Sequence, residues 1–581
     1  MPSWPSQLLR ALLLAVLLHA CISLAQTTNA SVTVDDLLGS QNDGKLASSY
    51  TEGSLRGSLI LYNGKIHTMD DKNTIVKVIA IKDGQIVYVG NSQDDAAREG
   101  RFDASSKVRT IDLGGRMAIP GLIDCHNHIV LLGNRPGYHT PLERAYSIAD
   151  VQAVYKQRAT GVPKGSFITT IGGFSPNQFK ELRLPTLAEL DAAAPDHPVF
   201  ISTSFSGPAT TNSLGKAILS SLPGNTSVTV SPTGAITSGL ENGKALLALR
   251  ANLTFADRQR SALAAMQYAA SVGLTTHLDQ GAFPATGTPS DGAANEDLLS
   301  FHNPFLSLYA SHSAPIRLRI NFLHADSDVS LPSLTARMQH TFPHFGNSMV
   351  RTGSIGEFVA SDSVSGPVFE AALTALAKAK WRLEVHSLSS TDFQSQIQAF
   401  EKVNSIVDIT GLRWVIAHVP RITAEYLSRL KALGGGVNLS GWSYLSGTGN
   451  ATNPAGPPFR TIVQSGIRAG FGADGANIAP LSPWPHVYYA VTGKNAKGEV
   501  INPGQLATRE EVLGWYTRDN RWFMGGEDEA QLGVLERGRL GDVVVLSADY
   551  FEVEEERLKE LESVLTVVGG VVVHDRGVSK G

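Results

Sequence analysis

Cysteine is almost missing from this chain: Cys21 and Cys125 are the only two in 581 residues. Cys21 lies in a segment that reads as removable, so the mature protein cannot close an internal disulfide and must rest on a large apolar core. A thiolate cluster for a metal is excluded on the same count. Blocks of like charge are also missing. Lys plus Arg number 49 against 53 for Asp plus Glu, a formal net charge of −4. A nucleic-acid partner would need clustered Lys and Arg, and none occurs. No low-complexity tract is present.

The N-terminus carries Arg10 followed by the apolar run "ALLLAVLLHACISLA" and the small residues Ser23-Leu24-Ala25. The run falls short of the roughly 20 residues that span a bilayer. It predicts a signal peptide over residues 1–25, a mature start at Gln26, a secreted protein and no stable membrane insertion after cleavage. The alternative is an uncleaved signal anchor, which would leave the protein membrane-anchored in the secretory pathway. Sequons at Asn29, Asn225, Asn252, Asn438 and Asn450 agree with secretion and predict a glycoprotein.

After a polar segment (26–56) come short β-type runs, "SLILYNGKIHTM", "VKVIAIKDGQIVYVG" and "KVRTIDLGGRMAI". Asn63-Gly64 and Asp83-Gly84 are strong hairpin signals. "GDVVVLSA" and "LTVVGGVVVHDRG" repeat the style near the C-terminus. Residues 57–118 and 538–578 therefore predict one small β-sandwich domain built from both chain ends. Between them, buried-type runs such as "SFITTIGG", "PVFISTS", "LTTHLDQ", "WRLEVHS" and "LRWVIAHV" alternate with helical patterns such as "DRQRSALAAMQYAASVG". About eight such units predict an α/β fold, a (β/α)8 TIM barrel over residues 119–537. The stretch around 139–255 is long for a βα connection and predicts an insertion over the active-site mouth.

Active sites of this fold sit at the C-terminal ends of the strands. The apolar runs end in His126 and His128, His277 and Asp279, Glu357, His386, His418 and Asp474. In "AIPGLIDCHNHIVLLG", the period of two places Asp124, His126 and His128 on one strand face and Cys125 on the other. Five histidines and three carboxylates at one rim would be costly to bury unpartnered, and a metal centre is the economical shared partner. The nitrogen and oxygen donors suit Zn²⁺, with Mn²⁺, Fe²⁺ and Co²⁺ also compatible, as one or two ions. Glu357 could bridge two ions. Asp124 either orients an imidazole or holds a strand end. His277 and Asp279 either touch substrate or form a structural pair. The aromatic residues of "SGWSYLSG" and "PLSPWPHVYY" read mostly as core.

These motifs resemble the amidohydrolase superfamily, specifically its YtcJ-like (amidohydrolase 3) branch. "PGLIDCHNH" is similar to the branch's first-strand PG-x-x-D-x-H-x-H. "LEVHS" and "WVIAHV" resemble its strand-five and strand-six segments, and "IRAGFGADGANIAPLSPW" its strand-eight segment. "LATREEVLGWYTRDNRWFMGGEDEAQLGVLERGRLGDVVVLSAD" is similar to its C-terminal signature. The resemblance implies a metal-dependent hydrolase of an amide or related C–N bond, acting on a small molecule through metal-activated water. It implies His126, His128, His386 and His418 as metal ligands, with Asp474 as ligand, general base and later proton donor. Three segments depart from the branch pattern. Glu357, in "IGEFVASDS", stands where the branch has a bridging lysine. Ala417-His418-Val419-Pro420 replaces E-H-A-Q, and "SGPATTNS" lacks a histidine. Two rival readings stay open: a catalytically weak relative acting as a binding protein, and a metal-dependent decarboxylase or isomerase. A homo-oligomer is left open.

Overall fold

The computed structural model describes residues 57–102, 108–251, 253–281, 298–361, 364–475 and 477–580. The expected signal segment, the polar stretch to residue 56 with Asn29, and Asn252 lie outside these residues.

Eight parallel strands carry the centre. β1 (Leu122–Asn127), β2 (Leu274–Asp279), β3 (Arg317–Phe322) and β4 (Val350–Ile355) form one sheet in the order β4-β3-β2-β1. β5 (Glu384–Ser387), β6 (Val415–His418), β7 (Gly436–Ser440) and β8 (Arg468–Gly472) form a second in the order β5-β6-β7-β8. Every pairing within both sheets is parallel. Parallel strands covered on both faces are buried along their length. All six residues of β1 and all five of β7 are buried accordingly. The two sheets touch along both margins. Ile355 bridges Leu383, and the Asp474 N–H donates to the His126 carbonyl at 2.8 Å.

Helices fill the connections. α1 (Ile129–Gly133) follows β1 directly. α2 (Ile148–Ala159) opens the insertion. α3 (Phe255–Ser271) leads into β2, its start fixed by a reciprocal capping box between Thr254 and Asp257. Ala262, Leu263, Ala265, Met266, Ala269 and Ala270 form its buried side, at the spacing of one helix face.

Two runs read as barrel-type strands lie elsewhere. Ile168–Ile171 and Val199–Ser202 belong to a separate five-stranded sheet that also holds Tyr138–His139, Ala209–Thr211 and Ala235–Ile236. The insertion thus has its own sheet and two apolar clusters, one around Tyr155 and Ile168, the other around Phe200 and Ile236. Their place among the eight is filled by β1 and by β7, "GVNLS". Asn438 interrupts the apolar run of β7 and hid it. Its amide NH₂ donates inside the fold to the Cys125 carbonyl and sulfur, both at 3.1 Å.

Both chain ends build two further sheets. One has the order Gln85–Gly90, Val78–Lys82, Leu59–Tyr62, Arg109–Asp112. The other runs Val571–Asp575, Ser563–Val568, Val543–Leu546, Met117–Pro120, Lys65–His67, Ile75–Val76. They share a core in which Leu59 and Leu61, Val543 and Val545, and Leu565 and Val567 point inward at period two. Asp83-Gly84 makes the expected hairpin, both residues at positive φ. Asn63-Gly64 does not. The strands on either side of it pair with other partners in different sheets, so this turn is a crossing point. Gly121 alone separates Pro120 from β1, and a Cβ there would stand 2.2 Å from Thr275 Oγ1. Among the described residues no helix is long and apolar enough to cross a membrane.

Candidate metal centre

The ends of β1, β4, β5, β6 and β8 converge on one buried cluster. His126 and His128 leave β1 on the same side, as the alternation requires, with ring centroids 5.8 Å apart. Glu357, just after β4, sits among four imidazoles. Its carboxylate lies 3.3 Å from His128 Nε2, 3.0 Å from His386 Nδ1, 3.0 Å from His418 Nε2 and 3.5 Å from His126 Nε2. Asp474, just after β8, stands 3.8 Å from His126 Nε2 and 3.5 Å from His128 Nε2. Two trios of donor atoms can each hold an ion: His126, His128 and Asp474, and His126, Glu357 and His418. His386 is outside both trios and reaches the cluster through Glu357.

Surrounding groups fix which ring nitrogen faces inward. His128 Nδ1 is 2.8 Å from the Gly281 carbonyl, and His418 Nδ1 is 2.9 Å from Ser440 Oγ. His126 Nδ1 is 2.6 Å from Glu384, a carboxylate at the start of β5 rather than at its end. Glu384 lies on β5 two residues before His386, and that parity was the available signal. Its other oxygen accepts from Gln280 at 3.1 Å. His126 Nε2 is then buried with no hydrogen-bond partner among the described residues, facing Glu357 and Asp474. A ring nitrogen whose partner nitrogen donates to a carboxylate presents a lone pair. A lone pair aimed at two carboxylates calls for a cation between them, and the donor set fits a divalent metal.

The protonation energetics point the same way. Burial alone would lower His126, but the Glu384 carboxylate, with Glu357 and Asp474, raises it to about 10. Burial likewise opposes a charge on His128, and Glu357 with Asp474 lifts it to about 9. Burial would raise the Glu357 carboxyl, yet hydrogen bonds from His128, His386 and His418 hold it well below the usual range. The cluster demands positive charge, which a metal supplies in place of protons. His418 (φ 68°), Val419 (φ 40°) and Asp474 (φ 49°) are held in the left-handed region. Such conformations cost free energy and concentrate at functional sites.

Other candidates fall outside the cluster. Both Asp279 oxygens take protein donors: the Val130 N–H at 3.1 Å, the Gly281 N–H at 3.0 Å and His302 Nε2 at 2.9 Å. His277 is fully buried, pairs through Nδ1 with Asn127, and is pushed down to about 3 by burial. Asp124 accepts the N–H groups of His126 and Ala473, so it holds two strand ends rather than a ring. Burial raises it to about 7. Cys125 turns away into a cluster with Ile123, Leu278 and Val415. Trp484, Tyr488 and Tyr489 are core. Trp442 is not. It is half-buried and stacks on His418 at 4.9 Å, as Phe358 stacks on His386 at 5.4 Å.

A family model described as the amidohydrolase family matches residues 109–574, most of the chain. The chain belongs to the amidohydrolase family, in its YtcJ-like branch. It is 22% identical over 557 residues to an N-substituted formamide deformylase of Arthrobacter pascens, covering 89% of this chain and 98% of that one. It is 22% identical over 559 residues to the putative amidohydrolase YtcJ of Bacillus subtilis (strain 168), covering 89% and 99%. Among solved structures, an uncharacterized metal-dependent hydrolase from Pyrococcus furiosus superposes with a TM-score of 0.55 at 19% identity. That likeness covers 85% of this chain and all of the other. The chain is therefore a metal-dependent hydrolase acting on carbon–nitrogen bonds.

Proposed function

We propose that this protein is a secreted amidohydrolase that cleaves the C–N bond of an N-formyl or N-acyl amine, or of a cyclic amide. The observation that carries the reading is His126 Nε2, buried, without a hydrogen-bond partner among the described residues, and aimed at Glu357 and Asp474. His126, His128, Glu357, His386, His418 and Asp474 would hold one or two ions, with zinc favoured by the nitrogen and oxygen donors. When bound, the metal supplies Lewis acidity toward the substrate oxygen and acidifies water. Asp474 takes a proton from the attacking water and delivers it to the leaving nitrogen, so that the C–O bond forms as the C–N bond breaks. Trp442 and Phe358 give apolar walls beside His418 and His386, which suits an apolar N-substituent. The likeness to an N-substituted formamide deformylase supports an N-formyl group as the acyl part.

The same proposal covers the architecture. The two four-stranded sheets close into a (β/α)8 barrel, and the sheets from both chain ends form a β-sandwich. The N-terminal sequence supports secretion with a mature start at Gln26. Of the sequons among the described residues, Asn225 and Asn450 are exposed and take glycans, whereas Asn438 is wholly buried in β7 and does not.

The test is metal content and turnover on a panel of N-formyl amines, N-acyl amines, cyclic amides and esters, using protein from the culture medium. Bound divalent metal with release of free amine is expected. Folded protein without metal and without turnover would favour a binding protein, and products that retain the C–N bond would favour a decarboxylase or isomerase.

A further inference from the structure

A small, partly open pocket lies among α1, α2 and α3, and no residue of the metal cluster lines it. Leu132, Pro141 and Ala264 give it apolar walls, and Tyr138, Arg158 and Arg260 give it polar edges. Both guanidinium groups lie over the Tyr138 ring, Arg260 at 4.1 Å and Arg158 at 5.6 Å. Stacking occupies the faces of a guanidinium and leaves its in-plane N–H edges for a ligand. Arg260 gives one N–H to Asp257 at 2.7 Å. The Arg158 guanidinium has no ion pair and no hydrogen bond among the described residues, and its Nε is buried without a partner. Burial and the charge of Arg260 both press on it. His139, also in the wall, is kept neutral, pushed down to about 3 by burial and by Arg135 and Arg158.

Two cations thus face one cavity whose wall holds no carboxylate. Like charges together and a buried N–H left unsatisfied both cost free energy. An anion in the cavity would relieve both. We propose that this cavity binds a small carboxylate with a short apolar tail. The two oxygens of a carboxylate match the fork of a guanidinium edge, and the apolar walls suit an alkyl tail. The proposal does not rest on the metal-centre assignment.

The test is calorimetric titration of the full protein with butyrate, against phosphate and chloride at matched ionic strength. Phenylglyoxal labelling, read by peptide mass spectrometry, locates the site. Saturable butyrate binding that protects the Arg158 peptide from labelling is expected, with phosphate weaker. Arg158→Gln should lower butyrate affinity by at least about tenfold, the worth of a charge-assisted hydrogen bond. Arg158→Lys keeps the charge without the fork and should fall between, which keeps the test decisive if the Gln variant folds poorly. Equal butyrate affinity in both variants and the wild type would place the binding elsewhere and overturn the proposal. Phosphate binding as tight as butyrate would overturn the carboxylate assignment. Absence of saturable binding and of protection would overturn the site.

Discussion

Glu384 is wholly buried, and one of its oxygens lies 2.6 Å from His126 Nδ1. An acceptor there fixes the tautomer, turns Nε2 toward the cluster and raises the basicity of the ring as a ligand. Glu384→Gln keeps the shape and removes the charge. Metal affinity should fall about 10-fold or more, in line with other groups that orient ligating imidazoles, and a chelator should strip the ion faster. Unchanged affinity in competition titrations would show that Glu384 only fills space. Asp474 should fail differently. Asp474→Asn keeps an oxygen donor and loses the basicity, so turnover should drop by about 100-fold or more while most of the metal stays. Near-normal turnover would refute the general-base role. Glu357→Gln should change metal per chain instead, because Glu357 touches four imidazoles at once. If stoichiometry does not move, Glu357 is not a ligand. Asp362, the next acidic residue after β4, lies outside the described residues. His126, His128, His386, His418 and Asp474 were legible because each ends a run of apolar residues. Glu384 offered only its parity with His386, because a carboxylate at the start of a strand announces its partner only when the facing strand is known.

At the scale of elements, Glu143 ties three segments together. It accepts the Leu481 N–H and the Ser482 N–H, the latter at 2.9 Å, and the Tyr268 hydroxyl at 2.6 Å. Leu481 and Ser482 follow Asp474 on the loop after β8, and Tyr268 belongs to α3, so the insertion is anchored beside the loop that carries the proposed base. Burial raises the Glu143 carboxyl from an ordinary 4.5 to about 7, against the pull of those three donors. A folded pKa above the unfolded one gives stability that is full below about 4.5 and is lost as pH rises through about 7. Glu143→Gln cannot titrate. The stability difference between wild type and Glu143→Gln should therefore shift in favour of wild type as pH falls from 7 to 4.5, measured by denaturant unfolding at each pH. A difference that is flat across this window would show that Glu143 is ionised throughout. The elements most readable from sequence were those whose local signals sufficed, such as the Asp83-Gly84 hairpin and the helical pattern of α3. Asn63-Gly64 carries a hairpin signal without a hairpin because pairing partners far along the chain decide the role of its flanking strands, and β7 shows no clear apolar run because Asn438 interrupts it.

At the scale of the whole molecule, the cluster draws on β1 from one sheet and β5, β6 and β8 from the other, with Glu357 after β4 at the margin between the sheets. A ligand that binds only the folded state stabilises it by mass action. Chelation should lower the melting temperature by several degrees, and added Zn²⁺ should restore it. A melting temperature indifferent to chelator and metal would mean that the cluster holds no ion. By itself, the sequence determined the α/β class, the participation of both chain ends in β structure, the family, and the kind of donor available at each strand end. These follow from local periodicity and side-chain chemistry, which need only neighbouring residues. Tertiary structure alone decided that Asp279 is consumed by backbone N–H groups and His302, that His277 is walled off, that two apolar runs belong to the insertion, and that Glu384 stands behind His126. Those outcomes depend on which strands pair and in what register, and pairing brings together residues hundreds of positions apart that no local pattern connects.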